Sequence, residues 1–189
     1  MNFAVLASGN GSNLQAIIDA IKKKKIKANL NVVISDKKDA FVLKRALKAG
    51  IPTVVIDLKF FKSRASMDKA IVKELKGFGI DFVVLAGYMR ILSSYFVKAY
   101  KNKILNIHPA LLPLFKGAHA IRDAFDAGVK TTGVTVHFVD EKVDHGPIIA
   151  QESLRIKKGE SLKSLEARIH KVEHKMYPKV IDFFAKGRI

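Results

Sequence analysis

Cysteine is absent from the 189 residues, so no disulfide framework, thiolate zinc site, iron–sulfur cluster or cysteine nucleophile can be built, and a reducing compartment suits the chain. Proline (5) and glycine (12) are sparse, which excludes collagen-like and Pro/Gly-rich chains. Acid is scarce as well: 17 Asp and Glu face 34 Lys and Arg, a formal net charge of +17. Hydrophobic residues still make up 49%, too many for a disordered basic tail and enough for one domain to bury a core without staples. No stretch approaches the roughly 18 uninterrupted apolar residues of a membrane span. The opening Met1–Ala7 has no basic segment before its apolar run and reads as a strand, not a secretory signal. The expectation is a soluble, cytoplasmic chain whose charge serves nucleic acid, an anionic membrane, anionic small substrates or solubility alone.

Short Val- and Ile-rich runs at Phe3–Ala7, Leu30–Ile34, Thr53–Ile56, Asp81–Leu85 and Ile104–Ile107 predict buried strands. Between them Leu14, Ile17, Ile18 and Ile21, and then Met67, Ile71, Leu75 and Phe78, keep to one face of a helix. Strand–helix alternation predicts a parallel sheet with right-handed crossovers. After Thr132 two strand-like runs, Gly133–Asp140 and Pro147–Ile156, follow one another across a polar loop, and a long closing helix carries Leu162, Leu165, Ile169, Val172, Met176 and Val180. The fold class expected is α/β, a Rossmann-like three-layer α/β/α arrangement with a mostly parallel central sheet. It forms a single domain over residues 1–189, with a phosphate-binding half at 1–100 and a catalytic half at 101–189.

The first strand runs into Ser8-Gly9-Asn10-Gly11-Ser12-Asn13 and then a helix, the place where such folds offer backbone N–H groups and a positive dipole end to an anion. A dinucleotide fingerprint fits less well, because the third glycine position holds Leu14, although Asp36 after the second strand could mimic a ribose-binding acid. A plain alternative is that Ser12 or Asn13 only caps the helix.

The most specific segment is Leu105-Asn106-Ile107-His108-Pro109-Ala110-Leu111-Leu112-Pro113, followed by Gly133-Val134-Thr135-Val136-His137-Phe138-Val139-Asp140 and Asp144-His145-Gly146-Pro147. Two apart on an extended segment, Asn106 and His108 point to the same side at the carboxyl end of a strand. A carboxylate from the Asp144 loop, folded back over that strand end, would orient His108 and favour its imidazolium.

With the Gly9–Asn13 loop and Leu85-Ala86-Gly87-Tyr88-Met89-Arg90-Ile91-Leu92, these motifs resemble the phosphoribosylglycinamide formyltransferases, folate-dependent transformylases of purine synthesis, over nearly the whole chain. The resemblance implies transfer of a formyl group from 10-formyltetrahydrofolate to the amine of phosphoribosylglycinamide, without metal. Asn106 and protonated His108 would hold the formyl oxygen, and Asp144 would keep His108 charged and order a proton-carrying water. Gly11, Ser12 and Asn13 would grip the substrate phosphate, with Gly87, Pro109 and Glu173 along the rest of that substrate. Arg64, Met89, Arg90, Ile91, Leu92, Asn106, Val139 and Asp140 would contact the folate. Glu173 sits beside a core-facing helical row, where a solvated flank residue also fits, and Met89 and Leu92 fit an ordinary core. His137 lies inside a strand pattern and reads as structural. His145, Lys116 and Ala110 depart from the family, which often has a small residue, proline and serine there.

Relatives sharing the His-Pro-x-Leu-Leu-Pro core include methionyl-tRNA formyltransferase and formyltetrahydrofolate deformylase; they usually carry extra domains for which 189 residues leave no room. A nucleic-acid binder is suggested by the charge and by Lys22-Lys23-Lys24-Lys25-Ile26-Lys27, but aromatics are not interleaved with these lysines as a stacking platform requires. The expected partners are therefore two anionic small molecules, with no nucleic acid and no membrane, acting on a monomer or weak homodimer.

Overall fold

In the computed structural model all 189 residues are described. The chain alternates strand and helix: β1 (Asn2–Leu6), α1 (Ser12–Lys22), β2 (Asn29–Ser35), α2 (Phe41–Lys48), β3 (Thr53–Val55), α3 (Arg64–Gly77), β4 (Phe82–Leu85), α4 (Ser94–Ala99), β5 (Ile104–His108) and α5 (Ala120–Asp126). It ends with β6 (Thr131–Phe138), β7 (Ile148–Arg155) and the 24-residue α6 (Leu162–Ala185). A single 3-10 turn, Leu58–Phe60, precedes α3.

The seven strands form one sheet in the order β3-β2-β1-β4-β5-β6-β7. The first five are parallel; β6 runs antiparallel to β5, to which the long connection through α5 returns it, and β7 antiparallel to β6, with which it forms a hairpin across a short loop. The expected mostly parallel sheet, added strands and closing helix are all present. α2, α4 and α5, which the sequence reading did not pick out, are helices of 8, 6 and 7 residues. So short a helix has barely two turns in which to express a 3.6-residue period.

Strand alternation splits the core between the two faces of the sheet. Phe3, Val5, Phe82, Val84, Leu105 and Ile107 pack with α1, α2 and α6, whereas Ala4, Leu6, Val83, Leu85 and Ile104 pack with α3 and α4. Asn106 and His108 share the parity of Ile104, so they face the α3/α4 side. The strand order reverses between β1 and β4, and the crevice at their carboxyl ends is where sheets of this kind receive ligands.

Candidate active site

Three loops and one strand end converge at that crevice. The loop after β1 is tied to α2 by hydrogen bonds. Arg45 donates from Nε to Asn10 O and from Nη2 to Asn10 Oδ1, both at 2.9 Å, and Val42 N–H donates to Gly9 O at 3.1 Å. Gly11 has φ +76°, and a Cβ there would lie 2.6 Å from Val42 Cγ2, so both the backbone conformation and the space demand glycine. Neither Ser12 nor Asn13 caps α1; Gly11 holds the cap position and no side chain bonds the helix end. The first-turn N–H groups and the positive end of the helix therefore face the crevice uncovered.

Asn13 turns instead to α6, where its Nδ2 donates to Glu173 Oε2 at 3.1 Å, and its own Oδ1 is buried without a partner. Glu173 is only 4% exposed and also meets His170 Nδ1 at 2.9 Å, so it is no solvated flank residue. That hydrogen bond lifts His170 above the ordinary histidine value against the opposing effect of burial. His174, one turn on, is pushed below it, chiefly by burial.

The loop after β4 is stitched to the first loop: Ser8 N–H donates to Gly87 O at 3.0 Å and Met89 N–H to Ser8 Oγ at 2.9 Å. Gly87 has φ +74° and lies exposed. Met89 and Ile91 are exposed apolar side chains, while Leu92 belongs to the α3/α4 core. Arg90 is committed elsewhere, with Nε 2.7 Å from Asp36 Oδ2. That pairing takes one oxygen of the Asp36 carboxylate, and the other, Oδ1, is buried without a partner. Arg64 opens α3, exposed and in no ion pair.

At the end of β5 the central group closes. His108, 3% exposed, points Nδ1 at Asp144 Oδ2 (3.3 Å) and Nε2 at Phe115 O (2.7 Å). Both ring nitrogens face oxygens that only accept, so imidazolium satisfies both. Asn106 Nδ2 donates to Asp144 Oδ1 at 3.4 Å, and Gly117 N–H donates to Asp144 Oδ2 at 2.8 Å. Burial favours the neutral Asp144 carboxyl, but the His137 and Gly117 hydrogen bonds and the neighbouring imidazoles together hold it below the usual carboxylate range. Asn106, His108 and Asp144, drawn from β5 and from the loop between β6 and β7, thus meet as expected.

The structure adds His137 to this group. It lies directly opposite Asn106 on β6, buried, with Nε2 3.1 Å from Asn106 Nδ2 and 3.6 Å from Asp144 Oδ1, and its Nδ1 faces Phe138 O at 2.7 Å. Cross-strand partners share a face. An alternating strand pattern shows that His137 is buried but not which residue of a distant strand stands opposite, so no signal in the sequence alone could have found this contact.

The turn after β5 is folded down onto the hairpin. Thr135 Oγ1, opposite His108, donates to Ala110 O at 2.7 Å and accepts from Leu112 N–H at 3.1 Å, and Gln151 Nε2 donates to Leu112 O at 2.9 Å. Leu111 fills the space over Gly133, where a Cβ would overlap both Leu111 and the Glu152 carbonyl. Pro109 is half-buried at the start of this turn, and the Leu112–Pro113 peptide is cis. Val139 packs against the α3/α4 core, and Asp140 opens the loop that carries Asp144. No group of three or more His, Asp or Glu side chains is arranged to hold a metal ion, and no helix is long and apolar enough to cross a membrane.

Residues 1–181 match the profile of the formyl transferase family. The phosphoribosylglycinamide formyltransferase of Escherichia coli K12 is 48% identical over 189 residues, covering 100% of this chain and 89% of that protein. The human trifunctional purine biosynthetic protein adenosine-3 is 48% identical over 98% of this chain, which spans only 18% of its length. Among solved structures, glycinamide ribonucleotide transformylase 1 of Symbiobacterium toebii superimposes with a TM-score of 0.97 at 45% identity, covering 100% of this chain and 89% of that one. The glycine loop, the Asn106–His108–Asp144 group and this likeness along the chain agree: the protein belongs to the formyl transferase family.

Proposed function

We propose that the chain transfers the formyl group of 10-formyltetrahydrofolate to the amine of 5′-phosphoribosylglycinamide, giving formyl-phosphoribosylglycinamide and tetrahydrofolate in purine biosynthesis. The observation that carries this reading is the meeting of Asn106 (3.4 Å) and His108 (3.3 Å) on the Asp144 carboxylate, in the same crevice as a helix N-terminus without a side-chain cap. Attack of the amine on the formyl carbon places negative charge on its oxygen, and breaking the bond to N10 requires a proton there. Asn106 Nδ2 and His108 donate to that oxygen; a formyl group reaching His108 Nε2 takes the position that Phe115 O now holds. Asp144 keeps His108 oriented and orders a water that carries the amine's proton toward N10.

The substrate phosphate meets the N–H groups of Gly11, Ser12 and Asn13, while the unpartnered Asn13 Oδ1 and Glu173 hydrogen-bond the sugar or glycinamide end. Gly87 and Pro109 flank that substrate. The pterin rests against Met89–Leu92, Asn106 and Val139–Asp140, read through backbone groups, since the Arg90 side chain is engaged with Asp36. Arg64 meets a carboxylate of the glutamate tail. We read the protein as acting as a monomer or weak homodimer. The cysteine-free composition suits a cytoplasmic setting. The charge is read as serving small anions, with no nucleic acid.

Mixing the protein with 10-formyltetrahydrofolate and phosphoribosylglycinamide and following folate release tests this directly. Amine-dependent turnover is expected; its absence refutes the reading, and hydrolysis without amine would assign a deformylase instead.

A further inference from the structure

The loop carrying Asp144 contains a second acid–imidazole pair whose side chains take no part in the formyl transfer proposed above, although the backbone of Asp140 flanks the pterin there. The loop joins β6 to β7 and is closed twice. At its neck Phe138 N–H donates to Pro147 O at 2.9 Å, and Gly146 lies so close that a Cβ would overlap the Phe138 carbonyl. Above the neck, His145 Nδ1 stands 2.7 Å from Asp140 Oδ2, while Asp140 Oδ1 accepts Lys142 N–H at 2.9 Å. Between these ends the chain forms an exposed tip, Glu141–Val143, and then turns Asp144 inward at φ +46°. A left-handed backbone is disfavoured for a residue with a side chain, less for Asp than for most, and the two closures of the loop help to hold Asp144 in it.

We propose that Asp140 and His145 form a clasp that holds the loop in the shape in which Asp144 meets His108, making His145 a positioning residue. Its catalytic consequence rests on the formyl-transfer reading, whereas the clasp itself does not. Asp140 is suited to the role: burial alone would favour its neutral form, but the hydrogen bonds from His145 and from Lys142 N–H hold it below the usual carboxylate range. The other charged and titratable groups near the pair are Glu141 and Asp144 of the loop, His137 of β6, and Lys98 of α4, whose ammonium lies 4.0 Å from Glu141.

Trypsin cuts after lysine, and Lys142 is exposed at the tip. In His145→Ala and Asp140→Asn proteins, native-state cleavage after Lys142 should run roughly two- to fivefold faster than in the unaltered chain, the range open to an exposed ion pair. The double variant should be cleaved no faster than either single. Both single variants should raise KM for 10-formyltetrahydrofolate more than KM for phosphoribosylglycinamide, and should lower kcat. Equal cleavage in all four proteins, or effects that multiply in the double variant, overturn the clasp whatever the turnover. Faster cleavage with unchanged KM and kcat overturns the positioning role. Faster cleavage in proteins that never show amine-dependent turnover leaves the clasp standing and refutes formyl transfer instead.

Discussion

In the proposed reaction the work is divided between single side chains, His108 at the formyl group and Glu173 at the acceptor. His108 is enclosed between the Asp144 carboxylate and the Phe115 carbonyl, so its loss should affect turnover more than assembly of the crevice. His108→Ala is expected to lower kcat by about 10²–10³-fold, as removal of an oxyanion donor does, with circular dichroism unchanged. His170 allows a test that needs no substrate. Its value is raised in the folded chain by Glu173, so the pairing stabilises the fold below the unfolded histidine value and is lost as pH rises through the folded one. Urea midpoints measured from about pH 6 to about pH 9 should therefore decline less in His170→Gln than in the parent. His174, held low mainly by burial, contributes with the opposite sign in both proteins.

At the scale of elements, the strands were legible in the sequence and the contacts between them were not. Runs such as Phe82–Leu85, buried on both faces, announce themselves through continuous Val, Leu and Phe. Asn106 and His108 were also legible, because one strand's alternation sets their common direction. The pairing of Asn106 with His137 depends on register between strands far apart in sequence, which no local pattern encodes. The glycine loop was legible as a strand-to-helix turn at the crevice, but that its helix has no side-chain cap emerged only from the geometry of Gly11 and Val42. Gly133 is a further case: it leaves room for Leu111 and for the neighbouring strand. Gly133→Ala should cost about 1–3 kcal/mol by overpacking and lower the urea midpoint, and, because Leu111 belongs to the turn after His108, activity should fall with it.

Over the whole molecule, the charge of +17 acts through its field. Only a few basic groups lie at the crevice, while the Lys22–Lys27 run sits exposed at the far end of α1, where cations favour the helix dipole. On the proposed function the remaining field would attract both anionic substrates from a distance, and it is screened over about 10 Å at 0.1 M salt. Raising salt from about 0.05 M to about 0.5 M should lower kcat/KM for both substrates while kcat stays constant. Steep salt-dependent binding of RNA by the same protein would show that the lysines serve another ligand.

The closing helix is anchored at one point deep in the molecule: the fully buried Tyr177, whose hydroxyl lies 2.8 Å from Leu85 O and 2.9 Å from Leu105 O. Glu173 precedes it by four residues, one turn along the same face. Tyr177 fixes the rotation of α6 against β4 and β5, and so sets where Glu173 stands relative to the catalytic strand. In this respect the helix works as a dial with one locked mark. Inserting a single alanine between the two would turn everything before it by about 100° relative to Tyr177, taking the core residues Leu165 and Ile169 out of register together with Glu173, so the place of Glu173 beside Asn13 and the packing of the helix are set by the same rotation.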